Sequence, residues 1–249
     1  MFLFLKIDYS NENMYNDKEI YNKGANMEYK YEIHAHTKNT SRCGQLDAEE
    51  LIKKYKEAGY SGIVITDHYS PMTFHISEFF NKKKAIDHFL HGYRKAKKYE
   101  TEDFSVLLGV ELRFYATVND YLIYGVNEDM LYKLPFLLPL YIKKVSRLFR
   151  ERGCLFIQAH PFRQFIRRAN PKYLDGVEVF NGKADKEAND NSLKWAEEIK
   201  AKIKTSGSDC HRETGVGLGG IVTKEPIKTN EDLLRILKSG NYKLIRNQK

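Results

Sequence analysis

The chain has 249 residues, 42% of them hydrophobic and 30% charged, enough for one large α/β core. No apolar run approaches the ~20 residues a membrane-spanning helix needs, and the formal charge of +8 favours anionic partners without choosing between phosphorylated small molecules and nucleic acid. Cys43, Cys154 and Cys210 are odd in number and lack C-x-x-C spacing, which argues against a disulfide framework and for a reducing, cytoplasmic setting with no membrane partner.

Residues 1–26 are rich in Asn, Tyr, Asp and Lys without periodicity, and read as a peripheral or poorly ordered N-terminal extension, or a short extra strand over 1–7. Residues 27–249 read as one domain. Tyr29, Tyr31 and Ile33 then alternate with Lys30, Glu32 and His34, the signature of a strand. His34 and His36 are two apart, so both imidazoles face one side. The polar run from Thr37 to Ser41 follows at once, placing the pair at the strand's carboxyl end as half of a metal site.

Asp47 is positioned to cap a helix carrying Leu51, Ile52, Tyr55 and Ala58 at helical spacing, ending at Gly59. The apolar run over 62–65 predicts a strand buried on both faces, with Asp67 and His68 arriving at its carboxyl end. A helical segment over 82–102 follows; His88 and His91, with His75, read as surface or helix-packing residues. Further strands are expected over 105–111, ending in Glu111, and over 120–126. A helix over 134–152 contains Pro135 near its start and Pro139 as a kink or a later first turn. Strands over 154–161, ending near His160, and 176–181 come next, then a helix over 186–201. The polar stretch 204–211 contains Asp209 and His211. A last core strand over 220–223 precedes a helix over 231–239 capped by Asn230.

Strands alternating with helices predict a parallel sheet, and at this length a closed (β/α) barrel with its functional groups at the strand carboxyl ends. Five of eight histidines (His34, His36, His68, His160 and His211) occupy such ends, as do Asp67, Glu111 and Asp209. Imidazoles and carboxylates together suit zinc, manganese or iron with open positions for water and substrate.

His34-Ala35-His36, Thr66-Asp67-His68, Gly109-Val110-Glu111, Ala159-His160-Pro161 and Gly207-Ser208-Asp209-Cys210-His211 resemble the successive motifs of the PHP (polymerase and histidinol phosphatase) superfamily of metal-dependent phosphoesterases. The resemblance spans 28–223 and implies a distorted (β/α)7 TIM-like barrel with two or three divalent ions, commonly manganese, zinc or iron. It implies that His34, His36, Glu111 and Asp209 hold one ion, that Glu111 bridges to a second held with His160, and that His68 and His211 contribute to a third. Many members carry an Asp shortly after the His pair, where this chain has Ser41-Arg42-Cys43. Many also carry a His before the fourth strand, where this chain has Asn119-Asp120-Tyr121. Asp120 then stands in as a carboxylate ligand. Cys43 reads first as an ordinary buried cysteine and second as a thiolate substitute, which favours zinc.

The expected chemistry is hydrolysis of a phosphate ester by a metal-activated water, with Asp67, His68 and Asp209 as candidate proton relays. Arg163 is placed to grip phosphate, with Arg42, Arg113 and Arg212 near proposed ligands and Arg167 and Arg168 farther away. The expected partner is a phosphorylated small molecule or nucleotide. The alternatives are a nuclease or DNA-repair module acting on nucleic acid, and a catalytically weakened domain that binds metal or phosphate and acts through a partner.

Overall fold

The computed structural model describes residues 27–115 and 117–247; the expected extension over 1–26, with its short strand, lies outside the described residues. The chain forms a single α/β domain of eleven described strands in two sheets. In order they are β1 Tyr29–Ala35, β2 Gly62–Ile65, β3 His68–Tyr69, β4 Ser105–Leu108, β5 Val110–Arg113, β6 Asp120–Tyr124, β7 Leu155–Gln158, β8 Gly176–Asn181, β9 Ile203–Gly207, β10 Gly219–Thr223 and β11 Tyr242–Arg246. One sheet runs β11-β10-β1-β2-β4 and the other β3-β5-β6-β7-β8-β9. The ladders are therefore two, where sequence periodicity predicts one closed barrel.

The sheets join along a seam. Only Thr66 and Asp67 separate β2 from β3, and only Gly109 separates β4 from β5, so both chains cross from the first sheet to the second at one level. At Gly109 a Cβ would meet the side chains of Thr66 and Val64, which explains why the expected single strand over 105–111 breaks there. On the other side, Ala35 at the end of β1 bridges in parallel to Cys210, just past β9. The candidate ligands lie along this seam.

Two features depart from an all-parallel sheet. The link from β5 to β6 is short, so β6 pairs antiparallel to β5 and also to β7. As a result the amino end of β6, with Asp120, lies at the level of its neighbours' carboxyl ends. β10 likewise runs antiparallel to β1, and β11 continues that arrangement at the edge.

The helices are α1 Ala48–Glu57, α2 Lys82–Phe89, α3 His91–Lys97, α4 Glu128–Lys133, α5 Ile142–Arg150, α6 Lys186–Glu198 and α7 Asn230–Ser239. α1 begins with a full capping box between Asp47 and Glu50 and buries Leu51, Ile52 and Tyr55. Each of those side chains is worth ~1.5–3 kcal/mol in area removed from water. The helix expected over 82–102 divides at Leu90 into α2 and α3. The one expected over 134–152 is shortened to α5, preceded by an irregular stretch holding Pro135 and Pro139, while α4 lies before that span; two prolines so close deprive a continuous helix of its hydrogen bonds. Thr229, rather than Asn230, caps α7, its hydroxyl accepting from the Asp232 amide. Among the described residues no helix is long and apolar enough to cross a membrane.

Candidate metal centre

β1 turns His34 into the cluster, whereas a register shift against β2 between Glu32 and Ala35 leaves Glu32 on the other side, against Tyr55 of α1. Glu32 and His34 on the strand, with His36 just beyond it, are fully buried. Glu111 on β5 sits at the centre of the cluster. Its Oε1 lies 3.0 Å from His160 Nε2 and 3.3 Å from His34 Nε2. Its Oε2 lies 3.3 Å from His36 Nε2 and 2.6 Å from His68 Nδ1. Asp209 completes the floor, with Oδ1 3.4 Å from His36 Nε2 and 3.1 Å from His211 Nδ1.

Four overlapping groups offer ligand atoms within 4.8 Å of one another: His34, His36 and Glu111; His34, His160 and Asp209; Glu111, Asp120 and His160; and His36, His68 and His211. The structure thus brings together all eight residues expected to bind metal. His34 Nε2, His36 Nε2, Glu111 Oε2 and Asp209 Oδ1 are buried without a hydrogen-bond partner. Buried polar atoms are otherwise almost always satisfied, so this donor set fits divalent cations.

The electrostatics fit the same picture. Burial disfavours charge on Glu111 and Asp209, yet the surrounding histidines hold both carboxyls well below their usual range. Burial opposes protonation of His34 as well, but Glu178, Asp209 and Glu111 outweigh it and raise its pKa. For His36, burial and the neighbouring His211 and His68 act together and depress it.

An outer layer fixes the tautomers. His34 Nδ1 donates to Glu178 Oε1 at 2.7 Å, leaving Nε2 free to face the cluster. Glu178 Oε2 accepts from the His160 amide at 2.9 Å and from Asn181 Nδ2 at 3.0 Å. His160 and Asp209 adopt positive φ values of 28° and 49°, so the backbone is held in a sparsely populated region at two candidate ligands. Glu32 accepts from the amides of His34 and Ser208 and from the Tyr55 hydroxyl. Burial pushes its pKa up to about 7 against those hydrogen bonds.

Asp67, expected as a proton relay, has another occupation. Its Oδ1 accepts from the Thr37 amide and the Ser41 hydroxyl, and its Oδ2 from the Thr37 hydroxyl, each at 2.7 Å. Ser41 spends its one proton on Asp67, so its contact with His36 Nδ1 is one in which the imidazole donates. Asp67 therefore orients His36 and the following loop, and its oxygens do not enter the cluster.

The cationic residues divide as well. Arg113 forks onto Asp120 through Nε and Nη2, at 2.6 Å from Oδ1 and 2.5 Å from Oδ2, and still lines the cleft beside His68. Arg42, Arg163 and Lys183 line a cleft of about 150 Å3 above His68 and His211. Arg163 Nη1 is 3.7 Å and Lys183 Nζ 3.9 Å from Asp209 Oδ2. Arg212 faces a neighbouring groove of about 680 Å3 that shares Lys183 and His211 with the cleft. Arg167 lines a separate outer cleft with Tyr115 and Phe165. His88 contacts Glu78 and stacks on His75, away from the centre.

Cys43 corrects the first expectation for it. It is exposed rather than buried, and its Sγ lies 3.0 Å from His211 Nε2 at the cleft wall. Burial of the thiol is outweighed by His211 and His68, which bring its pKa down to about 6. Glu178 and Lys183 escape sequence reasoning altogether. A carboxylate between Val177 and Val179 in an otherwise apolar strand is the signal that could have exposed Glu178.

With this geometry in place, the comparisons are consistent. The PHP domain model matches residues 32–211 and a PHP-associated model matches 186–242. The chain belongs to the PHP domain family. Among solved structures it is similar to PsfC from Pseudomonas syringae (14% identity, 88% of this chain and 92% of that one, TM-score 0.64). It is also similar to a two-domain protein from Bacteroides vulgatus containing a predicted PHP-like metal-dependent phosphoesterase (14% identity, 89% and 65%, TM-score 0.56). A third is a lesion-specific endonuclease from Pyrococcus furiosus (15% identity, 88% and 58%, TM-score 0.58). The chain thus spans 65% of the second protein and 58% of the third. No curated protein matches the chain.

Proposed function

We propose that this protein is a metal-dependent phosphoesterase acting on a phosphorylated small molecule or nucleotide from the mouth of a distorted barrel. The observation that supports this most is the set of four partnerless buried atoms, His34 Nε2, His36 Nε2, Glu111 Oε2 and Asp209 Oδ1, beneath a cleft walled by Arg42, Arg163 and Lys183. His34, His36, Glu111 and Asp209 would hold one divalent ion, Glu111, His160 and Asp120 a second, and His68 and His211 would contribute to a third. Such ions lower the pKa of a bound water and neutralise phosphoryl oxygens.

The chain's own groups do the rest. Arg163 and Lys183 stand beside Asp209 Oδ2 and bring positive charge to the place where a phosphoryl group would enter. His68, partly exposed at the cleft with its Nδ1 2.6 Å from Glu111, would serve as a ligand of the third ion, a role that leaves it no proton for a leaving oxygen. The three free cysteines suit a reducing cytoplasm.

A second reading, cleavage of nucleic acid, is favoured by exposed Phe165 and Tyr115 flanking Arg167 in the outer cleft, a combination that suits base stacking beside a phosphate. Elemental analysis of the purified protein, followed by a phosphate-ester screen with manganese, zinc and iron, tests both. We expect at least two ions per chain, lost in a His34→Ala/His36→Ala variant and kept in a His88→Ala/His91→Ala variant. We also expect hydrolysis of mononucleotides or sugar phosphates. Fewer than about one ion after supplementation sinks the metal site, and activity confined to duplex DNA selects the second reading.

A further inference from the structure

We propose that Cys43 is a thiolate ligand of the outermost ion, completing a Cys/His site with His68 and His211. This deepens the metal reading above and rests on it. His36, His68 and His211 already offer nitrogens within 4.8 Å of one another. The rings of His68 and His211 both lie 4.3 Å from that of His36. With His36 Nε2 assigned to the first ion, His68 and His211 supply two donors here, and a third protein donor beside an open position would complete the site.

Cys43 Sγ is in the right place. It sits 3.0 Å from His211 Nε2, in the wall of the cleft that His68 also lines. Zinc–sulfur and zinc–nitrogen bonds at a tetrahedral angle separate the two donors by ~3.6 Å, so a half-ångström opening admits an ion. The His211 Nδ1–H is turned to the Asp209 carbonyl at 2.9 Å, which leaves Nε2, the atom facing the thiol, as the ligating nitrogen.

The loop that presents the sulfur is fixed at both ends. The Gly44 amide donates to the Ser41 carbonyl at 2.9 Å, and the Gln45 amide to the His211 carbonyl at 2.7 Å. On binding, the thiol gives its proton to solvent and the sulfur lone pair goes to the metal. A thiolate selects borderline-soft cations, so this position prefers zinc or cobalt over manganese.

Cys154 and Cys210 are buried and donate to the carbonyls of Gly125 and Arg212, so Cys43 is the thiol a reagent meets in the folded full-length chain. The test loads that chain with cobalt(II) alone and records the near-ultraviolet thiolate-to-cobalt band, then repeats it with Cys43→Ala and Cys43→Asp. We expect the band in wild type and its loss in both variants. We also expect one ion fewer per chain in Cys43→Ala, restoration of that ion in Cys43→Asp, and slow reaction of the loaded wild type with a thiol reagent that chelator makes fast. Ions bound without the band, or a thiol equally reactive with and without metal, overturns the Cys43 ligand and leaves the metal centre standing. No cobalt or zinc bound at all overturns both.

Discussion

Replacing Glu178 with Gln changes one atom and leaves the volume intact, yet the geometry predicts a large effect on metal affinity. The carboxylate faces three donors: His34 Nδ1 on one oxygen, the His160 amide and Asn181 Nδ2 on the other. An amide offers one acceptor and one donor, so one side must now meet a donor with a donor. If the Gln oxygen serves His160 and Asn181, His34 must turn into the tautomer that accepts at Nδ1. Its Nε2 then carries the proton and cannot ligate. If the oxygen serves His34, the His160 amide is stranded, at ~1–3 kcal/mol, at a residue already held at φ 28°.

Both outcomes damage a candidate ligand, and loss of such supporting partners typically weakens metal binding about 10–100-fold, or ~1.4–2.8 kcal/mol. Competition against a chromophoric chelator gives the dissociation constant. The 15N shifts of the histidine rings, recorded in the metal-free protein at a pH high enough to leave His34 neutral, report its tautomer. An unchanged dissociation constant together with an unchanged His34 tautomer would refute the reasoning.

Gly207→Ala should destabilise the fold by ~1–3 kcal/mol and loosen the metal, because the new Cβ meets the His34 side chain and Glu178 Oε1; wild-type denaturation midpoint and metal content would contradict this. Glu32 has a folded pKa raised from 4.5 to about 7, so its stabilising contribution is full below 4.5 and is lost as pH rises through 7. In chelator, the unfolding free energy of wild type relative to Glu32→Gln should therefore fall by on the order of 3 kcal/mol across that window, and a flat difference would show that Glu32 ionises normally. Arg163→Lys should lower kcat/KM roughly tenfold or more with metal content unchanged, since a lysine cannot supply two parallel donors; equal kcat/KM on the best substrate would show that Arg163 merely pairs with Asp209.

How much of this was legible in the sequence depends on what each residue is attached to. His34, His36, His68, Glu111, His160, Asp209 and His211 lie on or just past strands, where period two and an apolar run fix position and face together. Glu32 carried the same pattern, but alternation cannot say which face is inside. Here a register shift between Glu32 and Ala35 breaks the alternation, so Tyr31 and Ile33 join the core between the strands while Glu32 meets Tyr55 of α1. Asp120 was legible as a carboxylate, but its arrival at the mouth depends on β6 running antiparallel, which the expected alternation did not contain. Asp67 was legible as polar at a strand end; only the hydroxyls of Thr37 and Ser41 show that its oxygens are already engaged. Arg113 was legible as a cation near the proposed ligands, but its fork onto Asp120 was not, because the register that sets the two opposite belongs to the strand pair and not to either strand. Cys43 and Lys183 come from loops, whose path no periodicity encodes.

That division has a chemical consequence. The inner ligands are rooted in strands and buried, with tautomers set by Glu178 and by Ser41 through Asp67, so their geometry is fixed by the same hydrogen bonds that hold the sheets together. The groups that face an incoming substrate, Arg42, Arg163 and Lys183, stand on connecting segments and are at least partly exposed. Substitutions in the first set should change how many ions are held. Substitutions in the second should leave the ions in place and change which phosphate ester is accepted, because a loop side chain can be altered without disturbing a ladder. Cys43 crosses the boundary: it is an exposed loop residue, yet its sulfur reaches His211. On this scaffold the proposed outermost ion would therefore be the one whose identity a single loop residue could change, while ions held at Glu111 would stay under the control of the sheet.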